Sequence, residues 1–303
     1  MITRDTSEFF AFAQTLECNF GPACAKAVFM VSPIGFSLAE QSARDNCYMQ
    51  MHQAVDADAA MAEHQALQLA IQAHCPVICF AGDTQTPDAV FPNNIFATAP
   101  GKSIVGHMRH AVRQHEAERM DIRRFFTELL VRQEIDLSQQ PGICELTGSL
   151  IIDRARGIGF CGLSERCDAE GAAVMHKAFG LRATLLFDLA QGEYHSNVVL
   201  SILASRALVI APSGFADTRV AGAIADFYRP AVIELSAIQK AEFAGNCIAL
   251  SQHTVFMSAR AERSLDAAQL AALRSHGFTL VSVPMPTLEL AGGSLRCCVG
   301  EVF

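Results

Sequence analysis

The residues with the most chemical promise lie near the C-terminus, in ELAGGSLRCCVGE, residues 289–301. Gly292 and Gly293 permit a tight backbone turn, and Arg296 directly precedes the adjacent pair Cys297 and Cys298. A thiol beside a guanidinium in a glycine-shaped loop is suited to ionise and act as a nucleophile. The same residues also fit a loop that feeds a buried terminal strand, with two cysteines that only pack. A second segment, GEYHSNVVLSI (192–202), sets His195 at the start of an apolar helical run. An imidazole there could serve as acid and base, or could be a hydrogen-bonded structural group. In CELTGSLIIDR (144–154), Glu145 precedes a glycine turn and a strand. A carboxylate so placed could orient a histidine, or could sit in a solvated turn.

Polar side chains interrupt an otherwise buried pattern in TPDAVFPNNIF (86–96), where Asp88, Asn93 and Asn94 alternate with Val90, Phe91 and Phe96. Pro-Asp and Asn-Asn are also ordinary turn chemistry. Arg113 with Glu116 in HMRHAVRQHE, and Glu165 with Arg166 in GLSERC, complete the set. On chemistry alone these are ion pairs of a helix or loop. The chain has no P-loop, no GxGxxG after a first strand, no HExxH and no CxxC pair. Its His and Cys groupings lack metal-finger spacing. The expectation is therefore no metal and no cofactor.

The elements that must position these side chains are short apolar, β-branched runs alternating with amphipathic stretches. The pattern predicts strands at 26–31, 76–80, 103–107, 149–153, 182–187, 207–211, 231–235, 246–250, 253–257 and 278–283. It predicts helices at 56–74, 109–134, 168–179, 194–205, 215–227, 236–243 and 264–276, the last starting at Ser264 and stopping before Gly277. Alternation of this kind means α/β or α+β. The units recur at near-constant spacing, which suits a structural repeat without a visible sequence repeat. No linker or change of composition divides the chain, so 1–303 reads as one domain.

Of the 303 residues 51% are hydrophobic and 18% charged, which excludes intrinsic disorder. The formal charge of −8 argues against a nucleic-acid or anionic-membrane surface. The N-terminal residues lack an apolar h-region behind a basic start, and no stretch is long and apolar enough for a membrane span. Most of the 11 cysteines fall in apolar runs, as Cys79 and Cys161 do. Free thiols of that kind suit a reducing compartment, so a cytoplasmic location is expected. A homodimer is the default assembly.

Taken in order, MVSPIGF, PDAVFPNN, MRHAVRQHE, ELTGSLIIDR, GLSERC, YHSN, FAGN and GGSLRCC resemble the guanidino-group-modifying (pentein) superfamily. That superfamily includes arginine deiminases, dimethylarginine dimethylaminohydrolases and amidinotransferases. MVSPIGF and PDAVFPNN are most similar to its citrulline-utilisation hydrolases. The resemblance begins near residue 26 and implies that residues 1–25 are an N-terminal extension. The resemblance implies an α/β fold, a five-bladed propeller of ββαβ modules around a polar centre. It implies covalent thiol chemistry on an arginine-like or citrulline-like amino acid. By the same carry-over Cys297 is the nucleophile, His195 the general acid and base, and Glu145 the carboxylate that orients it. Arg166 and Arg113 would hold a substrate carboxylate, Asp88 and Asn93 belong to the first binding motif, and Arg296 would add charge or lower the thiol pKa.

Two departures bear on the substrate. Where arginine-processing relatives place two aspartates around the guanidinium, this chain has Asn94 and Asn197. A buried cation requires anionic partners, whereas a neutral ureido group suits amides that both donate and accept. The expected reaction is hydrolysis of citrulline to ornithine, carbon dioxide and ammonia. The alternatives are hydrolysis of arginine or methylarginine, amidino transfer, or binding without catalysis. The stretch Ser37–Ala39 also lacks the asparagine found in relatives.

Overall fold

The computed structural model describes residues 1–303. Five short strands, Phe96–Ala99, Leu150–Asp153, Leu200–Leu203, Ile248–Ala249 and Gly300–Val302, recur at near-constant intervals, and each heads a separate small sheet. Every head strand pairs antiparallel with a second strand, which pairs parallel with a third. A parallel neighbour needs a crossover, and helical segments supply it. Ala57–Gln72, Ala169–Phe179, Thr218–Tyr228 and Ala267–Ser275 each lie between the second and third strands of a sheet. The C-terminal strand Gly300–Val302 returns to pair with Ala27–Val31, the second strand of its sheet.

Local sequence accounts for these crossovers. Thr218–Tyr228 turns Ala221, Ile224, Ala225 and Tyr228 inward at helical spacing. Asp168 caps Ala169–Phe179 through the Gly171 amide, and Gly180, at φ +67°, stops that helix in the left-handed conformation. Residues 1–25 are integrated rather than appended. Ile2–Thr3 adds a parallel strand beside Thr184 and Leu185, and Phe9 is fully buried with its ring centroid 5.5 Å from that of Phe160.

Several expected elements differ. The helix expected over 109–134 is broken into Ala111–Gln114, His115–Glu118, Met120–Arg124 and Phe125–Leu129, because Arg119 takes non-helical angles. The helix expected over 194–205 is only the turn Ser196–Val199, followed by the strand Leu200–Leu203. That strand is buried on both faces, so its apolar run carries no alternation to separate strand from helix. Asp266, not Ser264, caps the last helix, and Ser264 closes the preceding Ala259–Ser264. All eleven cysteines are free thiols; Cys161 is buried as expected, but Cys79 is exposed. No helix is long and apolar enough to cross a membrane.

Candidate active site

Each head strand is preceded by a short turn, and these turns carry the chemistry. Asn93 and Asn94 lie in Pro92–Asn94, Glu145 precedes Leu146–Ser149, His195 precedes Ser196–Val199, and Cys297 lies in Leu295–Cys298. Asn246 stands just before Ile248–Ala249. One structural position, repeated in five sheets, thus delivers residues far apart in sequence to a common centre.

His195 Nε2 lies 2.7 Å from Glu145 Oε2, and both side chains are fully buried. Burial alone would push the Glu145 carboxyl up, but the Arg166 guanidinium, with Nη1 at 3.2 Å, and His195 outweigh it and hold the carboxyl well below the usual range. The Arg109 amide donates to Oε1 at 3.1 Å. An ionised carboxylate only accepts, so Nε2 carries the proton and Nδ1 presents a lone pair. Nδ1 has no partner in the protein. Burial lowers the His195 pKa despite Glu145, so the ring is neutral near pH 7.

Cys297 is buried and its thiol is pushed up by desolvation. Two amides face it: Asn246 Nδ2 donates to Sγ at 3.3 Å, and Asn197 Oδ1 stands 3.8 Å away as acceptor for the S–H. Asn246 is itself fixed, accepting from the Arg296 amide at 3.0 Å and donating to the Asn197 carbonyl at 2.9 Å. Because Asn246 Nδ2 also approaches Asn197 Oδ1, at 3.4 Å, the other end of the Asn197 carboxamide, Nδ2, is left without a partner. Asn94 Oδ1 is likewise unpaired. An added Cβ on Gly148 would lie 2.6 Å from Asn94 Oδ1 and 2.9 Å from His195 Cε1, so glycine at 148 lets amide and imidazole converge.

A cleft of about 290 Å³ opens onto Cys297 and is lined by Asp88, Asn94, Arg113, Arg166 and Tyr194 among others. Tyr194 donates to the Gly292 carbonyl at 2.6 Å and pins the glycine turn that precedes Cys297. Asp88 is buried, accepts from Ser42 Oγ at 2.5 Å, and has its pKa raised by desolvation.

Arg113 and Arg166, the arginines expected to hold a substrate carboxylate, both line the cleft. Arg166 gives donors to Asp45, to the Ser42 carbonyl and to Glu145, and so also positions the Glu145 carboxylate. Arg113 binds Glu116 through two 2.8 Å bonds and the Asp88 and Phe91 carbonyls through Nη2, which leaves only Nη1 unpaired. Asn93 exchanges hydrogen bonds with Thr147 and does not line the cleft. Arg296 turns to the Val299 carbonyl and Glu301, yet its charge still acts to lower the Cys297 thiol pKa against the larger opposing effect of burial.

The family described as N,N dimethylarginine dimethylhydrolase, eukaryotic, matches residues 32–303. The chain belongs to this family. Through the N,N-dimethylarginine dimethylhydrolase family it belongs to the guanidino-group-modifying superfamily, hydrolases acting on C–N bonds of arginine derivatives. Comparison with curated proteins finds no match. Among solved structures, the chain is similar to the N-terminal domain of ArgZ, an arginine dihydrolase from the ornithine–ammonia cycle in cyanobacteria. The TM-score is 0.79 at 18% identity, covering 91% of this chain and 97% of that domain. AgrE in complex with ornithine and NAD+ has a TM-score of 0.79 at 20% identity, covering 91% of this chain and 39% of AgrE. A dimethylarginine dimethylaminohydrolase carrying a 4-chloro-2-hydroxymethylpyridine adduct has a TM-score of 0.68 at 20% identity, with 91% and 99% covered. These likenesses establish an α/β fold of the same kind.

Within this family member, sequence reasoning about site residues missed Ser42, Asp45, Asn46, Tyr194 and Asn246. Tyr194 and Asn246 had a signal, since Tyr194 precedes His195 in YHSN and Asn246 falls in FAGN, a motif of the resemblance in which no residue was singled out. Ser42, Asp45 and Asn46 had none, because SARDN reads as an ordinary polar turn.

Proposed function

We propose that this protein hydrolyses the C–N bond of a ureido carbon in an arginine-like amino acid, with citrulline as first substrate. One observation carries the reading. Two carboxamides keep an unpaired atom: Asn94, which lines the cleft, its acceptor Oδ1, and Asn197, whose Oδ1 stands 3.8 Å from Cys297 Sγ, its donor Nδ2. A ureido group offers the matching acceptor oxygen and donor NH₂, whereas a guanidinium offers donors alone and would leave Asn197 Nδ2 facing another donor. On this reading Cys297 Sγ attacks the ureido carbon as its proton passes to His195 Nδ1. His195 then returns that proton to the departing nitrogen. Ammonia leaves, and the carbon remains bound to sulfur as a thiocarbamate. Water, deprotonated by His195, breaks the C–S bond to give the N-carboxylated amine and free thiol. The carbamate then loses carbon dioxide to leave ornithine. Glu145 holds the imidazole and stabilises its charged form.

A second reading, hydrolysis of arginine or a methylarginine, is favoured by Asp88, the one carboxyl among the residues lining the cleft. If ionised it would pair with a guanidinium. Measuring ammonia, ornithine, citrulline and dimethylamine released from citrulline, arginine and dimethylarginine in parallel separates the two. The expected result is ornithine and ammonia from citrulline with the highest kcat/KM. Release of citrulline from arginine at a higher kcat/KM than citrulline turnover would overturn the ureido preference.

The same reading takes the five sheets to close as a five-bladed propeller. Support comes from contacts of Leu200–Leu203 with Leu150–Asp153 and Ile248–Ala249, and of Gly300–Val302 with Phe96–Ala99.

A further inference from the structure

A second cavity, open to solvent, shares no lining residue with the catalytic cleft. Its walls come from the head strands Leu150–Asp153, Leu200–Leu203 and Ile248–Ala249, with Arg154, Arg296 and Glu301 as its charged residues. Two guanidinium groups against one carboxylate leave a net positive charge in a site where both arginine side chains are about nine-tenths buried. Arg296 uses Nη1 on the Val299 carbonyl and Nη2 on Glu301, at 2.7 and 2.9 Å. Arg154 is served far less well. Its Nη1 reaches the Thr98 carbonyl at 3.3 Å, but its Nη2 is 3.9 Å from Glu301, beyond a hydrogen bond.

The Arg154 guanidinium is nonetheless held firmly, with its Cζ 4.1 Å from the Phe303 ring centroid and 5.4 Å from that of Phe179. It is therefore a preorganised fork whose donors are mostly unused. Burial, reinforced by the charge of Arg296, draws its pKa down to about 10, against the opposing pull of Glu301. Ser205 also lines the cavity and accepts from the Ala155 amide at 3.0 Å, which frees its hydroxyl proton to donate. A buried, unmatched cation with a fixed planar fork is suited to a small oxyanion.

We propose that this cavity is a binding site for a small oxyanion, a carboxylate or a phosphate, held by Arg154 and Arg296 with Ser205 as a further donor. The site is separate from the substrate cleft and does not depend on which substrate the cleft takes.

The test is titration calorimetry on the full chain with inorganic phosphate and, separately, with succinate, each at constant ionic strength set by sodium chloride. Saturable binding of phosphate alone, or of succinate alone, assigns the source of the oxyanion. Arg154→Gln should weaken binding at least about tenfold, by removal of the charge and the fork. Glu301→Gln removes the competing carboxylate and should tighten binding at least about threefold. The two variants move in opposite directions, and tightening is not a consequence of poor folding, so Glu301→Gln decides the matter if Arg154→Gln is unstable. No saturable binding of either anion overturns the proposal, as does an affinity for the binding anion that Glu301→Gln leaves unchanged or weakens.

Discussion

Replacing Asn197 by aspartate tests the substrate reading at one atom. In the native site Asn197 Nδ2 is the unpaired donor and Oδ1 lies 3.8 Å from Cys297 Sγ. In Asn197→Asp both ends accept. Two effects follow, and they separate. The new charge beside the thiol interacts with the thiolate by roughly 4 kcal/mol at an effective dielectric near 20. That raises the thiol pKa by up to about 3 units and slows every substrate alike. The second effect depends on the substrate. A ureido oxygen loses its donor and meets a buried acceptor, which costs about 1–3 kcal/mol, while a guanidinium gains an anionic partner. The ratio of kcat/KM for citrulline to that for arginine cancels the common loss. It should fall at least about tenfold, equivalent to about 1.4 kcal/mol. The assay is initial-rate ammonia release with both substrates at one pH, on protein whose melting curve matches the wild type. A ratio within about threefold of wild type would refute the claim that Asn197 Nδ2 faces the ureido oxygen.

Three further outcomes follow from the same geometry. Reaction requires neutral His195 to take a proton and Cys297 to supply one. Burial lowers the first pKa and raises the second. Activity should be lost as pH falls through the lowered His195 value, and again as it rises through the raised Cys297 value. The kcat/KM profile should then be flat from about pH 6.5 to about 8.5; a narrow optimum inside that interval would contradict a neutral resting pair. Asn246→Ala removes a donor that favours the thiolate, so the pH midpoint of iodoacetamide alkylation at Cys297 should move up, and an unmoved midpoint would remove Asn246 from this role. Gly148→Ala sets a methyl 2.6 Å from Asn94 Oδ1 and 2.9 Å from the His195 ring. It should reduce kcat more than tenfold while leaving the fold intact by circular dichroism, and near-normal kcat would show that the two groups need not converge.

Much of this site is legible in the sequence because its motifs, taken in order, resemble one superfamily; on residue chemistry alone Cys297, His195 and Glu145 each keep a structural alternative. The structure sets each of them at a head-strand turn. The misread strand has a physical cause. Leu200–Leu203 is buried on both faces, so its run lacked the alternation that marks a strand. The role of Arg113 and Arg166 toward a substrate carboxylate comes from the resemblance, and their protein partners were legible only in part. Glu116 stands three residues after Arg113 and pairs with it as that spacing suggests, whereas Asp45 and Glu145 meet Arg166 only through the tertiary fold. Arg296 precedes the nucleophile in sequence; its side chain turns toward Glu301, while its charge still acts to lower the thiol pKa.

The central claim is that Cys297 forms a covalent bond to the ureido carbon. Its most direct test is acid quenching during citrulline turnover, followed by peptide mass spectrometry. The expected result is an added mass equal to citrulline minus ammonia on Cys297, absent from Cys298, with turnover abolished in Cys297→Ser. Turnover with no adduct on Cys297, an adduct on another cysteine, or near-normal activity in Cys297→Ser would contradict it.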